Sequence, residues 1–466
     1  MSPAAAPPPA PFVFERAAAP APAAADPLRA AQPFLPQINW TPPPRDGPRP
    51  LVAVLDTGVD AAAPDLAGSV VPGRSFVPGS SDAGRDPDGH GTHVAGIVAA
   101  ASGNGVGGSG VSAARILPVA IADAEGRTNS RALIRGLRYA TVRGARVINI
   151  SFGGRGFSAD EQAAIDAAVR AGALVVVAAG NEGGRGGPPS YPGAYRQVVT
   201  VAAVGSSQRP LPLSERGPQV SIAAPGEDVA SVRARGRRPA PGGALVARSG
   251  TSVAAAIVSG VAARLMAQRP GVTAGQIRAI IESTARDLPP AGPDSATGAG
   301  LVDLAAALAA PTPPPDDPEP NDDTRLAAIT VPLGLGRAPA LAAVTGRTGS
   351  WRDPRDGFRV RLSAGDIITA QLEPARRGTL ALALWRPGTP TGRRDGTFGR
   401  RWLVAASQGV PPSTAIAAIV PRTGVYTLEV RGIRGETAYP AATAYHVTIE
   451  VQAYRATLAG STMAPG

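Results

Sequence analysis

Cysteine is absent from the 466 residues of this chain. Its absence excludes disulfide bonds, thiol nucleophiles and metal sites with cysteine ligands. Lysine is absent as well, and all 46 basic residues are arginines scattered along the sequence. A nucleic-acid-binding protein concentrates its positive charge on one face or stripe. We therefore expect no nucleic-acid partner, and we expect any catalysis to use oxygen or nitrogen nucleophiles or a hard metal.

Long apolar runs are also missing. No run reaches the roughly 18 to 20 residues that a helix needs to cross a bilayer, so we expect no membrane span. The first residues, MSPAAAPPPAPF, lack the charged start and compact apolar core of a secretory signal peptide. The chain is too long for one ordinary hydrophobic core, which predicts two or three domains.

Changes in composition along the chain predict its organisation. From Leu51 onward, apolar strands such as LVAVLD alternate with alanine-rich helical stretches, which indicates an α/β fold with a mostly parallel sheet covered by helices on both faces. After a proline-rich, acidic stretch, the strands come without helices, as in a smaller all-β sandwich or jelly roll. The predicted segments are a disordered Ala/Pro-rich arm (1–47), the α/β domain (48–310), a linker (311–325), the all-β domain (326–454) and a tail (455–466).

The stretch DPDGHGTHVAG, residues 86–96, holds two of the three histidines. At this spacing His90 and His93 could form a metal pair, one could be a general base, or both could be hydrogen-bonded residues of the interior. A zinc pair is disfavoured because no third histidine, cysteine or HExxH motif accompanies them. The stretch alone leaves the choice between the other two interpretations open.

Polar residues at predicted strand ends and helix starts bear on that choice. Open parallel sheets bind ligands beyond the carboxyl ends of their strands. Asp56 and Asn181 end two such strands, and Ser252 begins a helix. Each has a simpler interpretation, with Asp56 and Asn181 as turn residues and Ser252 as a helix N-cap. The chain order Asp, His, Ser is nevertheless one of the known orders of a catalytic triad.

Four segments, VAVLDTGVD, DGHGTHVAG, AAGNEG and SGTSVAAA, resemble the signature segments of the subtilisin-like serine proteases (subtilases, peptidase family S8) and follow the same order. The resemblance implies a serine endopeptidase of broad specificity that forms an acyl-enzyme intermediate and requires no cofactor for its chemistry. It implies that Ser252 is the nucleophile, His90 the general base, Asp56 the residue that orients His90, and Asn181 the side-chain donor to the oxyanion. His93 is then expected to pack internally.

The same resemblance implies a surface for polypeptide substrates on a monomeric enzyme. An extended peptide would pair with three residues that follow a strand, Ser151, Phe152 and Gly153, although a strand-end turn also explains them. Gly180 would floor the pocket for the side chain before the scissile bond. Ser190 would lie near the far end of this pocket and Glu182 near its mouth, where it would favour a basic residue.

Two further residues match a calcium site of secreted relatives. Asp65 takes the position of a calcium-binding carboxylate, and Asn104 lies in the companion loop. Oxygen ligands suit Ca²⁺, which would be structural here. A glycine-rich surface turn explains Asn104 equally well, so both interpretations stay open.

Residues 316–453 resemble the bacterial pre-peptidase C-terminal domain, through EPNDD, RDGFRVRLSAGD and GVYTLEV. Such modules often follow secreted proteases, so the resemblance implies an extracellular or cell-envelope location. Two alternatives to a broad endopeptidase remain at this point. One is a catalytically silent binding or scaffold protein whose β-sandwich does the binding, and the other is a processing protease of narrow specificity.

Overall fold

A computed structural model describes residues 25–44, 46–183, 190–195, 197–217, 219–235, 245–313, 329–330, 340–348, 355–374, 380–389, 402–407, 414–432 and 443–452. Residues 1–24 of the predicted arm, the predicted linker beyond residue 313 and the predicted tail lie outside these ranges.

The described part of the chain before residue 314 contains both helices and strands. The helices are α1 (Phe34–Gln37), α2 (His90–Ala99), α3 (Ser130–Val142), α4 (Ala159–Arg170), α5 (Thr251–Gln268), α6 (Ala274–Ser283) and α7 (Leu304–Ala309). The strands are β1 (Leu51–Asp56), β2 (Arg74–Ser75), β3 (Arg115–Ala120), β4 (Val147–Ile150), β5 (Gly154–Arg155), β6 (Leu174–Ala178), β7 (Ser190–Tyr191), β8 (Val199–Val204), β9 (Ile222–Pro225), β10 (Val229–Val232) and β11 (Leu245–Arg248).

A seven-stranded sheet with the order β2-β3-β1-β4-β6-β8-β9 forms the centre of this part, and every neighbouring pair is parallel. Successive side chains of a strand point to opposite faces. On β1, Val52 and Val54 therefore join an apolar cluster with α2 and α5, whereas Ala53 and Leu55 join a second cluster with α3 and α4. The predicted parallel sheet with helices on both faces is confirmed.

The segment before β1 is folded where it is described. Phe34, Leu35 and Ile38 are at most 2% exposed and belong to the apolar cluster that contains α2 and α5. The prediction of a disordered arm over 1–47 is therefore wrong for residues 25–44. The physical reason is local, because the run FLPQI supplies large apolar side chains that the surrounding alanines and prolines lack.

Helix α5 lies inside one of the two apolar layers, with residues Thr251 to Met266 buried. Among the described helices, it is the one that is long and apolar enough to cross a membrane, yet 89% of it is buried within the protein. A central core helix meets the same criteria of length and hydropathy. Its amino end reaches the carboxyl edge of the sheet, where Ser252 comes close to β1 and α2.

The described residues from Ile329 onward form strands. They are β12 (Ile329–Thr330), β13 (Ala340–Thr348), β14 (Arg355–Leu362), β15 (Ile367–Pro374), β16 (Leu380–Trp385), β17 (Leu403–Ala406), β18 (Thr414–Ile419), β19 (Gly424–Gly432) and β20 (Thr443–Gln452).

These strands form two sheets, with the orders β12-β14-β19-β16-β17 and β13-β20-β15-β18. Apart from the short parallel pair β12 and β14, the pairings are antiparallel. Phe358 and Tyr426 from one sheet share an apolar cluster with Val447 from the other, as the inner faces of a sandwich do. The predicted all-β fold of this region is confirmed, while the boundaries at 326 and 454 stay predictions.

Candidate active site

Three polar side chains meet at the carboxyl edge of the parallel sheet. Asp56 is the last residue of β1, His90 the first of α2 and Ser252 the second of α5. His90 Nδ1 lies 2.8 Å from Asp56 Oδ1, and His90 Nε2 lies 3.0 Å from Ser252 Oγ. A chain of this kind can move a proton from the hydroxyl to the imidazole while the carboxylate stabilises the cation that forms.

The surroundings of His90 favour its protonated form. Burial by itself lowers the pKa of the imidazole, but attraction and hydrogen bonding to the Asp56 carboxylate outweigh burial, so the pKa of His90 is raised. Asp56 is fully buried, and its Oδ1 also accepts a hydrogen bond of 2.8 Å from the N–H of Thr57. Because the carboxylate only accepts, Nδ1 of His90 carries a proton and Nε2 can accept from Ser252.

Asp86 holds the first turn of α2 in place. Its carboxylate accepts hydrogen bonds from the N–H of Gly89 at 2.8 Å, the N–H of Thr92 at 2.7 Å and the hydroxyl of Thr57 at 2.7 Å. Burial raises the pKa of Asp86 although these hydrogen bonds lower it. Gly91 lets α2 approach β1, since a Cβ on Gly91 would lie 2.0 Å from the carbonyl oxygen of Gly58, in the turn that follows β1. Sequence reasoning missed Asp86, although an acidic residue shortly before a helix start is a capping signal.

The start of α5 exposes the Ser252 hydroxyl to His90. The N-cap of α5 is Gly250, whose φ of +147° disfavours any residue with a Cβ. The simpler interpretation of Ser252 as the N-cap is therefore wrong. The backbone N–H of Ser252 belongs to the first turn of a helix, where N–H groups have no partner within the helix and can donate outward.

Thr251 fixes the orientation of Asn181. Asn181 Oδ1 accepts hydrogen bonds of 2.9 Å from both the N–H and the hydroxyl of Thr251. The same hydroxyl accepts a hydrogen bond of 3.1 Å from the N–H of Gly180. With Oδ1 engaged twice, the Nδ2 group of the exposed Asn181 is left as a donor, and no acceptor bonds it among the described residues. Thr251 belongs to the SGTS segment, but no role for it was predicted from the sequence.

His93 is separated from this chemistry. It is fully buried, and its Nε2 lies 2.9 Å from the carbonyl oxygen of Val229 and 3.0 Å from that of Val246, on β10 and β11. Burial lowers the pKa of His93 to about 4. The ring is therefore neutral near pH 7, with its proton on Nε2 facing the two carbonyls. The prediction that His93 packs internally is confirmed.

The residues predicted to bind substrate lie close to one another. Ser151 receives a hydrogen bond of 2.9 Å from the buried Asn149, and the Phe152 ring centre lies 6.0 Å from that of His90. A Cβ on Gly153 would lie 3.5 Å from the Ser190 Cβ, and a Cβ on Gly180 would lie 3.0 Å from the Ser190 hydroxyl. The structure thus brings all five predicted residues together: Ser151, Phe152, Gly153, Gly180 and Ser190. Their role in binding substrate stays a prediction.

Glu215 joins this group of residues and was not foreseen from the sequence. A Cβ on Gly180 would lie 2.7 Å from Glu215 Oε1. The Glu215 carboxylate accepts a hydrogen bond of 3.0 Å from the Ser190 hydroxyl. Nearby, Arg155 Nε donates a hydrogen bond of 3.2 Å to the carboxylate of Glu182. The sequence placed Glu182 at the pocket mouth, but it gave no sign that residue 215, 33 positions later in the numbering, folds back against Gly180.

The predicted calcium residues meet, but their geometry does not fit a calcium ion. Asp65 accepts hydrogen bonds of 3.0 Å from the amide of Asn104 and from the N–H of Gly108, and Asn104 Oδ1 accepts one of 2.8 Å from Val106. Burial raises the pKa of Asp65 to about 6; the hydrogen bonds from Asn104 and Gly108 oppose this rise, and repulsion from Asp26 adds to it. Calcium needs six to eight oxygens facing one point, whereas N–H groups face Asp65 here.

A mostly parallel α/β sheet that carries Asp, His and Ser in this hydrogen-bonded order has the arrangement of a Ser-His-Asp triad. Residues 47–300 match the model of the subtilase family, peptidase S8. The chain belongs to this family.

Individual relatives agree with this assignment. The chain is 38% identical to subtilisin amylosacchariticus of Bacillus subtilis subsp. amylosacchariticus over 259 residues, which cover 55% of this chain and 65% of that protein. It is 39% identical to thermitase of Thermoactinomyces vulgaris over 235 residues, covering 50% of this chain and 80% of thermitase. Among solved structures, sphericase superposes with a TM-score of 0.53 at 29% identity, over 58% of this chain and 96% of sphericase. The match thus spans somewhat less than two thirds of the first of these relatives.

Proposed function

We propose that this protein is a serine endopeptidase that hydrolyses polypeptides through Asp56, His90 and Ser252. The observation that carries the proposal is the continuous hydrogen-bonded chain, 2.8 Å from Asp56 to His90 and 3.0 Å from His90 to Ser252. A scaffold protein has no need for a buried carboxylate, an imidazole and a hydroxyl in this order. The family relationship and the subtilisin and thermitase relatives support the same reaction.

In the proposed reaction, Ser252 Oγ bonds to the carbonyl carbon of the scissile peptide while its proton passes to His90 Nε2. Asp56 stays ionised and stabilises the imidazolium. His90 then gives this proton to the leaving amine, which releases the first product and leaves an acyl group on Ser252. Water, activated by His90 in the same way, attacks the acyl group and frees Ser252.

The negative charge that develops on the carbonyl oxygen needs fixed donors. We assign this role to Asn181 Nδ2 and the N–H of Ser252. The two hydrogen bonds from Thr251 to Asn181 Oδ1 hold the amide in the required orientation before substrate arrives. Removal of one such donor lowers turnover by about 10² to 10³ in enzymes of this type. The proposed chemistry assigns each proton and charge to a protein group and so uses no cofactor.

We propose that the substrate is an extended polypeptide laid along Ser151, Phe152 and Gly153. Backbone pairing of this kind binds many sequences, because the main chain is common to all of them. We also propose that the C-terminal strands form a domain of the pre-peptidase C-terminal type. One relative is a cell wall-associated protease of Bacillus subtilis, which supports an extracellular or cell-envelope location for this protein.

A fluorophosphonate probe, which reacts only with an activated serine, tests the proposal. We expect the protein to be labelled and to cleave casein, and Ser252→Ala to lose both properties while its melting temperature stays near that of the parent. Ser259→Ala is a matched control, because Ser259 lies on the same helix but its hydroxyl donates to Asn149 Oδ1, at 2.9 Å, and not to His90. Folded protein without labelling would favour a binding or scaffold role.

A further inference from the structure

Glu215 brings negative charge to the inner end of the pocket beside Asn181. Its side chain is 5% exposed, and Arg155 Nη2 lies 3.4 Å from its Oε1. The carboxylate also accepts hydrogen bonds from the N–H of Ser190 at 3.3 Å and from the Ser190 hydroxyl at 3.0 Å. All of these partners are donors, as an ionised carboxylate requires.

The position of this carboxylate relative to the scissile bond follows from two glycines. Gly180 directly precedes Asn181, and a Cβ on Gly180 would lie only 2.7 Å from Glu215 Oε1. Gly153 also lies beside Ser190, because a Cβ on Gly153 would be 3.5 Å from the Ser190 Cβ. A substrate side chain that enters between the two glycines, next to the carbonyl held by Asn181, would therefore meet Glu215.

Among the residues that the structure describes here, the charges of Arg155, Glu182 and Glu215 do not balance. Arg155 bonds Glu182 through its Nε at 3.2 Å and approaches Glu215 at 3.4 Å, so that one guanidinium serves two carboxylates. Arg155 reaches them from β5, whose backbone pairs with Ser190 in β7. Its side chain is 35% exposed, and that of Glu182 is 69% exposed. One arginine and two glutamates together carry a net charge of minus one. The guanidinium of Arg155 already lies between the carboxylates of Glu182 and Glu215.

We infer that Glu215 is a specificity-determining residue that selects a basic side chain, arginine above all, immediately before the scissile bond. This inference rests on the proposed endopeptidase function and narrows the broad preference that the sequence resemblance implies. Glu182 assists at the mouth of the pocket. Arg155 marks where a guanidinium binds, and it moves toward solvent when the substrate side chain enters.

The physical reason for this preference is the environment of Glu215. An apolar side chain in the pocket would displace the Arg155 guanidinium from the carboxylate without supplying another donor, which is unfavourable. An arginine side chain supplies several N–H donors in a planar fork and can bond a carboxylate with two parallel hydrogen bonds. Selection is therefore expected to depend on charge rather than on the size of the side chain.

Three peptide substrates that differ only at the residue before the scissile bond test this inference. They carry arginine, citrulline or leucine, and citrulline has nearly the shape of arginine without its charge. We expect kcat/KM for the arginine peptide to exceed that for the citrulline peptide by roughly 30-fold or more, since loss of one partner of a buried charge pair has effects of this order. Equal cleavage of the arginine and citrulline peptides would overturn the inference.

The variant Glu215→Gln identifies the residue responsible. Glutamine keeps the shape of the side chain and can still accept a hydrogen bond from Ser190. We expect the arginine-to-citrulline ratio to fall to about 3 or less, with the leucine peptide cleaved as well as before or better. In Arg155→Ala the ratio should rise, because both carboxylates become available to the substrate. If neither substitution changes the ratio of kcat/KM for the arginine and citrulline peptides, other residues determine the preference and the role of Glu215 is rejected.

Controls separate a failed inference from a failed function. Glu282→Gln removes one negative charge from α6, where Glu282 pairs with Arg278, and should leave the ratio unchanged. Labelling by the serine probe and the melting temperature are measured for each variant, so that a misfolded protein is recognised. A protein that is labelled and cleaves all three peptides equally contradicts only the inference. A folded protein that is neither labelled nor active contradicts the endopeptidase function itself.

Discussion

His90 and His93 lie one turn apart on α2, and their surroundings move their pKa values in opposite directions. For His90, the Asp56 carboxylate outweighs burial and raises the pKa. For His93, burial dominates and lowers the pKa to about 4. The ring of His93 faces two backbone carbonyls, whereas that of His90 faces a carboxylate and a hydroxyl. The same residue type thus has two roles that depend on the partners of each ring.

The raised pKa of His90 predicts how activity depends on pH. His90 must be neutral at Nε2 to accept the proton of Ser252, so kcat/KM should fall as the pH drops through the pKa of His90 in the free enzyme. We expect the midpoint of this decline to lie above 6.5, the ordinary value for histidine. The measurement is kcat/KM for one peptide between pH 5 and 9. A midpoint below 6.5 would contradict the prediction.

Asp56→Asn provides the control for this effect. Without the negative charge, burial remains the main influence on His90, so its pKa should fall below 6.5. Because the substitution also lowers turnover by about 10⁴ in such triads, the pKa is better followed by NMR of the imidazole in a Ser252→Ala background. The chain has only 3 histidines, which keeps the spectrum simple. An unchanged pKa would show that Asp56 does not set it.

The lowered pKa of His93 predicts a loss of stability in acid. Between pH 6.5 and about 4 the unfolded chain binds a proton at this residue and the folded protein does not, so unfolding becomes more favourable as the pH falls. The difference corresponds to about 3 kcal/mol by pH 4. His93→Gln keeps a side-chain N–H donor but cannot be protonated. We therefore expect its stability deficit relative to the parent to be greatest at pH 7 and to shrink by about 3 kcal/mol at pH 4.

Denaturant unfolding of His93→Gln and its parent, both in the Ser252→Ala background to prevent autolysis, measures this difference. A deficit for His93→Gln that stays constant from pH 7 to pH 4 would contradict a neutral, buried imidazole.

At the scale of elements, the sequence predicted features that depend on neighbouring residues or on strand and helix ends. The meeting of Asp56 and Ser252 at the candidate site could be predicted because each residue belongs to a signature segment and to the end of a regular element. Glu215 could not, because its position against Gly180 depends on how a loop folds back after β8. The FLPQI run was missed because composition was judged over a longer stretch. Local pattern thus predicts the elements and the triad, and long-range packing decides what surrounds them.

The turn over residues 103–109 shows how an element is held by a distant segment. Asp26 accepts hydrogen bonds from the N–H of Gly103 at 2.8 Å, the N–H of Asn104 at 3.1 Å and the hydroxyl of Ser109 at 2.5 Å. Gln32 adds hydrogen bonds to and from the backbone of Ser109. A carboxylate from the segment before β1 therefore satisfies N–H groups that a metal ion could not satisfy.

This arrangement predicts that stability depends on Asp26 and not on calcium. Hydrogen bonds to a charged group contribute about 1.5 to 3 kcal/mol, so Asp26→Ala should lower the free energy of unfolding by about 3 kcal/mol. Asp46→Ala, which removes an exposed carboxylate from the same segment, should change it little. Excess EDTA should leave the melting temperature of Ser252→Ala protein unchanged. A clear fall with EDTA, reversed by Ca²⁺, would contradict the prediction.

At the scale of the whole molecule, the described residues form separate hydrophobic cores. The clusters on the two faces of the parallel sheet draw their members from residues 34–307, and the cluster of the all-β region from residues 340–451. No residue belongs to clusters of both regions among those described. Regions with separate cores can unfold in separate transitions, because the packing within one does not depend on side chains of the other.

Calorimetry of the Ser252→Ala protein should therefore show two unfolding transitions, and matched core truncations should assign them. Val176 on β6 and Val430 on β19 are both fully buried, and each belongs to the core of one region. Replacement of a buried valine by alanine should lower stability by about 2 kcal/mol at its own site. Val176→Ala should shift only one transition to lower temperature and Val430→Ala only the other. A single transition, or a shift of both transitions by either variant, would show that the two regions unfold as one cooperative unit.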